Sequence, residues 1–271
     1  MSFFQQFILG LIQGVFEWLP FSSEGVLLLV SSNIFQQNNL ELFLRQALFL
    51  HLGTFFAALI YFRKDVARLT VSLFNYKNAD SENKKILNFL ILTTLISGVI
   101  GLAVLQFLEL TSDYLITTSK TLTITVGFLL LFTGLLQIKS RSAGNRTPLH
   151  LNQTDSIFLG VMQGIAVLPG LSRSGLTVSS LLFRNIDDKT ALRLSFLMSL
   201  PIVLAGNILL NFSNFELISD LWIGVIFAFF FGLITINLFM KLAEKVKFGW
   251  FVIIIALMTI LAGVFVPVPV A

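Results

Sequence analysis

Six stretches of about 20 mostly apolar residues, each carrying almost no charge, restrict this chain more than any other feature. They run roughly from Leu42 to Phe62, Ile86 to Leu108, Leu115 to Ile138, Ala191 to Asn211, Leu221 to Met240 and Trp250 to Val266. Backbone polar groups in hydrocarbon must be satisfied within their own segment, so such stretches predict membrane-spanning α-helices. Of the 271 residues, 56% are hydrophobic and 12% charged, about half the ~25% charged fraction of an ordinary soluble domain. A soluble enzyme is excluded, and the expected fold class is an all-α, polytopic integral membrane protein. Cysteine is absent, which removes disulfides, thiolate metal sites and thiol redox switching. The excess of 18 basic over 14 acidic residues is too small and too scattered to indicate a nucleic-acid partner. The first Lys or Arg is Arg45, so the opening apolar stretch lacks the positive start of a cleavable signal and reads as part of the working protein.

Two further apolar regions are interrupted. Phe3 to Ser32 is broken at Pro20, followed by Ser22, Ser23, Glu24 and Gly25; Ile157 to Phe183 is broken at Pro169-Gly170, followed by Ser172, Arg173, Ser174 and Gly175. Proline removes a helical hydrogen bond and glycine frees the backbone, so each region predicts helix, turn, helix, in the form of a re-entrant hairpin. Basic residues concentrate between Arg63 and Lys85, after Ile138 and after Met240, which makes those loops cytoplasmic. The loops from Glu109 to Tyr114 and from Phe212 to Asp220 hold no Lys or Arg and are placed outside. Tracing the chain between them puts both termini on the outer face and brings the two hairpins toward the midplane from opposite sides.

An internal repeat supports this arrangement. Gly10, Gln13, Gly14, Leu19, Pro20 and Ser23 are echoed by Gly160, Gln163, Gly164, Leu168, Pro169 and Ser172, and each hairpin precedes three spans. The expected organisation is one membrane domain over residues 1–271: a first inverted repeat in 1–139, a cytoplasmic linker at 140–155 and a second repeat in 156–271. Inverted repeats with broken helices place a substrate site at the midplane where the halves meet.

Ionisable residues inside apolar segments cost ~2.5–3.5 kcal/mol each on insertion scales, so the deep ones call for a function. Arg45, Lys120 and Arg193 lie near span ends, where they can snorkel; Glu17, Glu24, His51 and Arg173 lie deeper. The second break offers Gly170 and Gly175 for close backbone approach, hydroxyls at Ser172, Ser174 and Thr177, and the Arg173 fork, together an anion cradle at a helix start. The plainer alternatives for Arg173 are an ion pair with Glu17 or snorkelling. In the first break Gln13 and Glu17 are one helical turn apart and share a face. Glu17 suits a general base or a ligand for a divalent cation, whereas Gln13 could equally make a helix-packing hydrogen bond. Ser22 and Ser23 could bind phosphate, attack it, or cap the helix that resumes after Pro20. Glu24 could be a first-turn acid, and His51 is more ordinarily a packed polar residue than a catalyst.

The runs Gln13-Gly14-Val15-Phe16-Glu17-Trp18-Leu19-Pro20-Phe21-Ser22-Ser23 and Pro169-Gly170-Leu171-Ser172-Arg173-Ser174-Gly175-Leu176-Thr177 resemble the two signature motifs of the undecaprenyl-diphosphatase family, the bacitracin-resistance type of membrane phosphatase. The likeness extends through His51-Leu52-Gly53-Thr54 and Ser195-Phe196 and along essentially the whole chain. It implies hydrolysis of a C55 polyprenyl diphosphate to the monophosphate at the outer face of the plasma membrane, recycling the lipid carrier for cell-envelope polymers. Carried over by position, Glu17 is the essential acid and metal ligand, Ser23 the nucleophile or a phosphate-binding hydroxyl, and Arg173 the diphosphate clamp. Gln13, Ser22, Glu24, His51, Gln163, Gly170, Ser172, Ser174, Gly175 and Thr177 are the candidate substrate contacts. The resemblance also implies a divalent cation, Mg2+ or Ca2+, and a polyprenyl diphosphate lipid as partner, and leaves a homodimer open.

One departure matters. Family members commonly follow the serine pair with one residue, Gly and His; here the run is Glu24, Gly25 and Val26, and the His is absent. A mechanism that needs that imidazole fails unless Glu24 or His51 substitutes, whereas one in which Glu17 activates water or binds the metal survives. The rival reading is a transporter or flippase of polyprenyl phosphate that uses the same charges only for binding. An inert scaffold ranks last, since it has no use for Glu17 and Arg173 in the membrane.

Overall fold

The computed structural model describes residues 1–37, 39–115, 119–140, 144–211, 219–243 and 248–265. They form α1 (Phe3–Phe16), α2 (Ser23–Asn33), α3 (Leu40–Tyr61), α4 (Arg63–Phe74), α5 (Ser81–Leu115), α6 (Ser119–Lys139), α7 (Gln153–Ile165), α8 (Arg173–Phe183), α9 (Asp188–Gly206), α10 (Trp222–Ala243) and α11 (Phe248–Phe265). Six of these helices, α3, α5, α6, α9, α10 and α11, are long and apolar enough to cross a membrane, and they coincide with the six expected spans. The short helices α1–α2 and α7–α8 flank the two proline breaks, as expected from Pro20 and Pro169.

The pairing of helices is close to reciprocal between the two halves of the chain. α1 lies along α10 and α7 along α5, while α6 and α11 form the most extensive contact. Small residues permit this. A side-chain carbon on Gly10 would sit 2.4 Å from Gly224 O, and one on Gly53 the same distance from Val225 O, so α10 can approach α1 and α3 only where these positions are bare. Trp18 Nε1 donates to Gly232 O at 2.9 Å and Thr235 Oγ1 to Gly14 O at 2.8 Å, tying the first break to α10.

Three expectations about loops are corrected. The segment from Glu109 to Tyr114 is the last part of α5, a single helix of 35 residues, because no Gly or Pro follows Gly101 to end it. At about 1.5 Å per residue that helix is far longer than a ~30 Å hydrocarbon core. The Arg63–Lys85 stretch holds a helix, α4, which buries Leu69 and Ser72 one turn apart and keeps its basic residues outward. Arg193 does not snorkel freely: its Nη2 lies 2.6 Å from Asp65 of α4 and its Nη1 3.7 Å from Glu82 of α5. Arg45 likewise pairs with Glu41 at 3.1 Å and donates to Leu210 O. Residues 212–218 of the expected outer loop, Arg141, and the basic pair Lys245 and Lys247 lie outside the described residues.

The segment before α7 is locked to the α8–α9 turn by one buried carboxylate. Asp155 receives both guanidinium nitrogens of Arg146, at 3.1 and 2.6 Å, and Arg184 Nε at 2.6 Å. It also accepts from Asn152 N at 3.0 Å in a capping box that starts α7. Burial works against its charge, but the hydrogen bonds from Arg146 and Arg184 outweigh burial and hold its carboxyl below the ordinary value of 3.8. A depressed folded-state pKa adds stability that is complete above the unfolded value and lost as pH falls through the folded one. Asp155→Asn is therefore expected to lower the melting temperature at neutral pH and to flatten its decline below about pH 4. The cost sits at the low end of the ~3–5 kcal/mol for a broken buried pair, since both arginines keep contact with solvent. Thermal unfolding in detergent at a series of pH values, with an unchanged acid limb in the variant as the contrary result, checks this.

Candidate active site

The two breaks meet. Ser22 caps α2 by accepting from Gly25 N at 3.0 Å, and Ser172 caps α8 by accepting from Gly175 N at 3.0 Å, so Ser22, and not the Ser23 of the sequence echo, is the counterpart of Ser172. The same Ser22 hydroxyl accepts from Gly170 N at 3.1 Å and joins one break to the other. Gly170 has φ +108°, a region closed to ordinary side chains, and its Cα lies 3.1 Å from where a side chain on Gly25 would begin. Two glycines thus let two turns touch. As a result the N-termini of α2 and α8, each carrying partial positive charge, converge on one small cavity. Its walls include Glu17, Ser23, Glu24, His51, Arg173 and Ser174.

At its centre is Glu17, which is buried. Arg173 Nη2 donates to Glu17 Oε1 in a partly buried ion pair. Glu17 Oε2 accepts from Ser23 Oγ at 2.9 Å and from Gln13 Nε2 at 2.9 Å, and lies 3.2 Å from His51 Nε2. His51 Nε2 is also 3.7 Å from Glu24 Oε1. Arg173 Nη1 reaches Ser195 O at 3.4 Å, and Ser195 Oγ shares a hydrogen bond of 2.6 Å with Thr177 Oγ1. Residues remote in sequence, from α2, α3, α8 and α9 and the turn after α1, therefore surround one carboxylate.

The sequence candidates divide into three groups. Glu17, Ser22, Ser23, Glu24, His51, Ser172, Arg173 and Ser174 line the cavity. Gln13, Gly170, Gly175 and Thr177 stand behind it: Gln13 bridges Glu17 to Thr54 Oγ1 at 3.3 Å, the glycines shape the turns, and Thr177 binds back to Arg173 O at 2.8 Å. Gln163 is elsewhere, donating to Ser97 Oγ at 3.1 Å in the α5–α7 contact. The Ser172 and Ser174 hydroxyls lie 3.3 Å apart, and Ser174 Oγ donates to Leu19 O at 2.9 Å across the two breaks. Sequence reasoning missed Thr133 and Gln137 of α6. Thr133 Oγ1 accepts from Ser172 N at 3.4 Å and Gln137 donates to Pro20 O, so α6 supports both turns. Two polar residues one turn apart in an apolar span were the available signal.

Residues 6–261 match the family described as bacitracin resistance protein BacA, and the match takes in both breaks and every residue of the cavity. The chain belongs to the BacA family. It is 39% identical over 267 residues to the undecaprenyl-diphosphatase of Methanococcoides burtonii, covering 96% of this chain and 98% of the relative. The undecaprenyl-diphosphatase of Haloarcula marismortui is 36% identical over 248 residues, 89% of this chain and 90% of its own. That of Syntrophotalea carbinolica is 36% identical over 252 residues, 90% and 92% of the two chains. Within the BacA family frame, the cavity at the meeting of the breaks is the place to seek the chemistry.

Proposed function

We propose that this BacA-family protein hydrolyses undecaprenyl diphosphate, or a polyprenyl diphosphate of that class, to the monophosphate and inorganic phosphate, recycling the lipid carrier of cell-envelope synthesis. The observation that carries the reading is a single buried carboxylate, Glu17, with a serine hydroxyl on one oxygen and an arginine on the other. Phosphoryl transfer depends chiefly on positioning and charge stabilisation, and these groups supply both. Arg173 turns from Glu17 to the diphosphate, which its planar fork fits. Glu17 Oε2 takes the Ser23 proton as Oγ forms a bond to the terminal phosphorus. The bridging P–O bond breaks, and its electron pair leaves on the polyprenyl monophosphate. Water then attacks the serine phosphate while Glu17 returns its proton to the departing Oγ, and both hydrogens of the water leave on the inorganic phosphate as dihydrogen phosphate. The N-termini of α2 and α8 stabilise the charge that gathers on the phosphoryl oxygens.

A divalent cation, Mg2+ or Ca2+, fits the oxygens present. Glu24 Oε2 is buried with no hydrogen-bond partner, and Glu17 offers a second carboxylate. Among the described residues no three His, Asp or Glu side chains are spaced to enclose an ion by themselves. Magnesium does not require that, since it is held by one or two carboxylates, substrate phosphates and water. When bound, the cation would neutralise diphosphate charge.

The near-reciprocal pairing of α1 with α10 and α7 with α5 supports an inverted repeat, with α1–α2 and α7–α8 as re-entrant hairpins. The basic residues of α4 and of the turn after it support a cytoplasmic position for that side, both termini outside, and the plasma membrane as the site of action. Lipid would reach the cavity sideways between helices.

The test is inorganic phosphate release from farnesyl and undecaprenyl diphosphates by protein in detergent, with and without magnesium or calcium. Release that depends on the cation and drops at least ~10³-fold in Ser23→Ala supports the serine route. Release that survives in Ser23→Ala but not in Glu17→Gln would replace Ser23 by water as nucleophile. Monodisperse protein that releases no phosphate from either lipid would sink the reading and favour lipid transport.

A further inference from the structure

Val26 stands where the resemblance leads one to expect a histidine, yet an imidazole reaches Glu17 from α3. His51 Nδ1 lies 2.7 Å from Ala47 O on its own helix, and a carbonyl oxygen can only accept, so Nδ1 carries a hydrogen and the ring orientation is set. Nε2 faces Glu17 Oε2 at 3.2 Å and Glu24 Oε1 at 3.7 Å; both can only accept, so Nε2 carries a hydrogen as well and the ring donates from both nitrogens. Glu17 Oε2 is the oxygen that accepts from Ser23. The imidazole touches the carboxylate, and the carboxylate touches the hydroxyl.

We propose that His51, steadied by Glu24, is the positioning residue for the Glu17–Ser23 pair and that this couple takes the place of the missing motif histidine. The inference rests on reading Glu17 as base and Ser23 as nucleophile. The physical need is clear from how Glu17 is held. Its Oε1 is bound by Arg173, which must leave to grip a diphosphate, and the carboxylate then loses its strongest restraint. Gln13 and His51 remain on Oε2 and keep that oxygen aimed at Ser23. A histidine that merely packed would be satisfied by Ala47 O and one acceptor. A second acid beside it, half-buried and with one buried oxygen lacking any hydrogen bond, is a cost that packing does not explain. The charged groups facing the ring are Glu17, Glu24 from α2 and, across Glu17, Arg173 from α8.

The experiment measures kcat and KM for phosphate release by the full chain in detergent for wild type, His51→Gln, Glu24→Gln and the double variant, and for the two substitutions in a Ser23→Ala background. His51→Gln is expected to lower kcat by ~10²-fold while KM stays within about threefold, because an aim is lost and a substrate contact is not. Glu24→Gln is expected to lower kcat by about tenfold, and the double variant to be no slower than His51→Gln, since Glu24 acts through the ring. In the Ser23→Ala background neither change should slow the residual rate further. An His51→Gln protein within twofold of wild type, a raised KM with unchanged kcat, or losses that multiply in the double variant would overturn the couple. If His51→Gln does not elute as a single species, Glu24→Gln, whose side chain is partly exposed, carries the same test by its kcat alone. Ser23→Ala and Glu17→Gln in the same assay separate the two levels: near-wild-type rates there sink the underlying reading, whereas their loss beside an active His51→Gln sinks only the couple.

Discussion

Glu17→Gln should reduce phosphate release by ~10³-fold or more. Glutamine preserves shape and can still accept from Ser23, but it can neither take the serine proton nor balance Arg173. The effect divides into two measurable parts. Loss of the base lowers kcat whatever the substrate concentration. Loss of the charge leaves the half-buried Arg173 without its partner, a change that costs less than the ~3–5 kcal/mol of breaking a fully buried pair, because Arg173 keeps some contact with solvent. A lower melting temperature should therefore accompany the lost activity, and added inorganic phosphate or diphosphate should restore part of it by giving Arg173 a new anion. A Glu17→Gln protein with wild-type turnover would remove this carboxylate from the chemistry.

Arg173→Ala is expected to cost ~10³-fold in kcat/KM, and Arg173→Lys to recover only a small part. The lysine ammonium keeps the charge but not the planar fork, so it cannot hold Glu17 or Ser195 O and a phosphate group with the same geometry. KM should rise in both variants, unlike Glu17→Gln, because Arg173 is read as holding the substrate as well as the transition state. The alanine variant also strips Glu17 of its ion pair, so its melting temperature should fall more than that of the lysine variant. Equal kcat/KM for lysine and arginine would show that charge alone suffices and that the fork has no role.

Most of the candidate site was legible before the fold. Glu17, Ser23 and Arg173 stood out because charge and hydroxyls inside apolar segments are expensive, and the structure brings all three to one cavity. The alternatives weighed for several residues turn out to coexist. Ser22 is a helix cap and also the link between the two breaks, and Gln13 is a packing residue and also a hydrogen-bond donor to Glu17. Arg173 forms the ion pair with Glu17 that was the plain alternative, within the cavity that the anion cradle required. Gln163 echoes Gln13 in sequence and is a candidate substrate contact, but it faces Ser97 rather than the cavity. That echo marks equivalent positions, but each takes its partner from a different helix.

The sequence by itself determined the solvent, the helices and the two interruptions. Apolar length settles where spans lie, and proline with glycine settles where a helix must stop, because both are local properties of the chain. It did not determine where α5 ends or that α4 is a helix, since loop charge says nothing about local backbone conformation. The tertiary structure alone decided which polar groups meet. The partners of Thr54, Thr133, Gln137 and Ser195 are not written along the chain; they follow from α3, α6 and α9 passing beside the breaks. The same is true of His51, whose reach to Glu17 depends on α3 lying against α10 at Gly53, where a side chain would meet backbone at 2.4 Å. Hydrogen-bond partners are chosen within about 3 Å, a scale on which helix packing, rather than order along the chain, decides what is near.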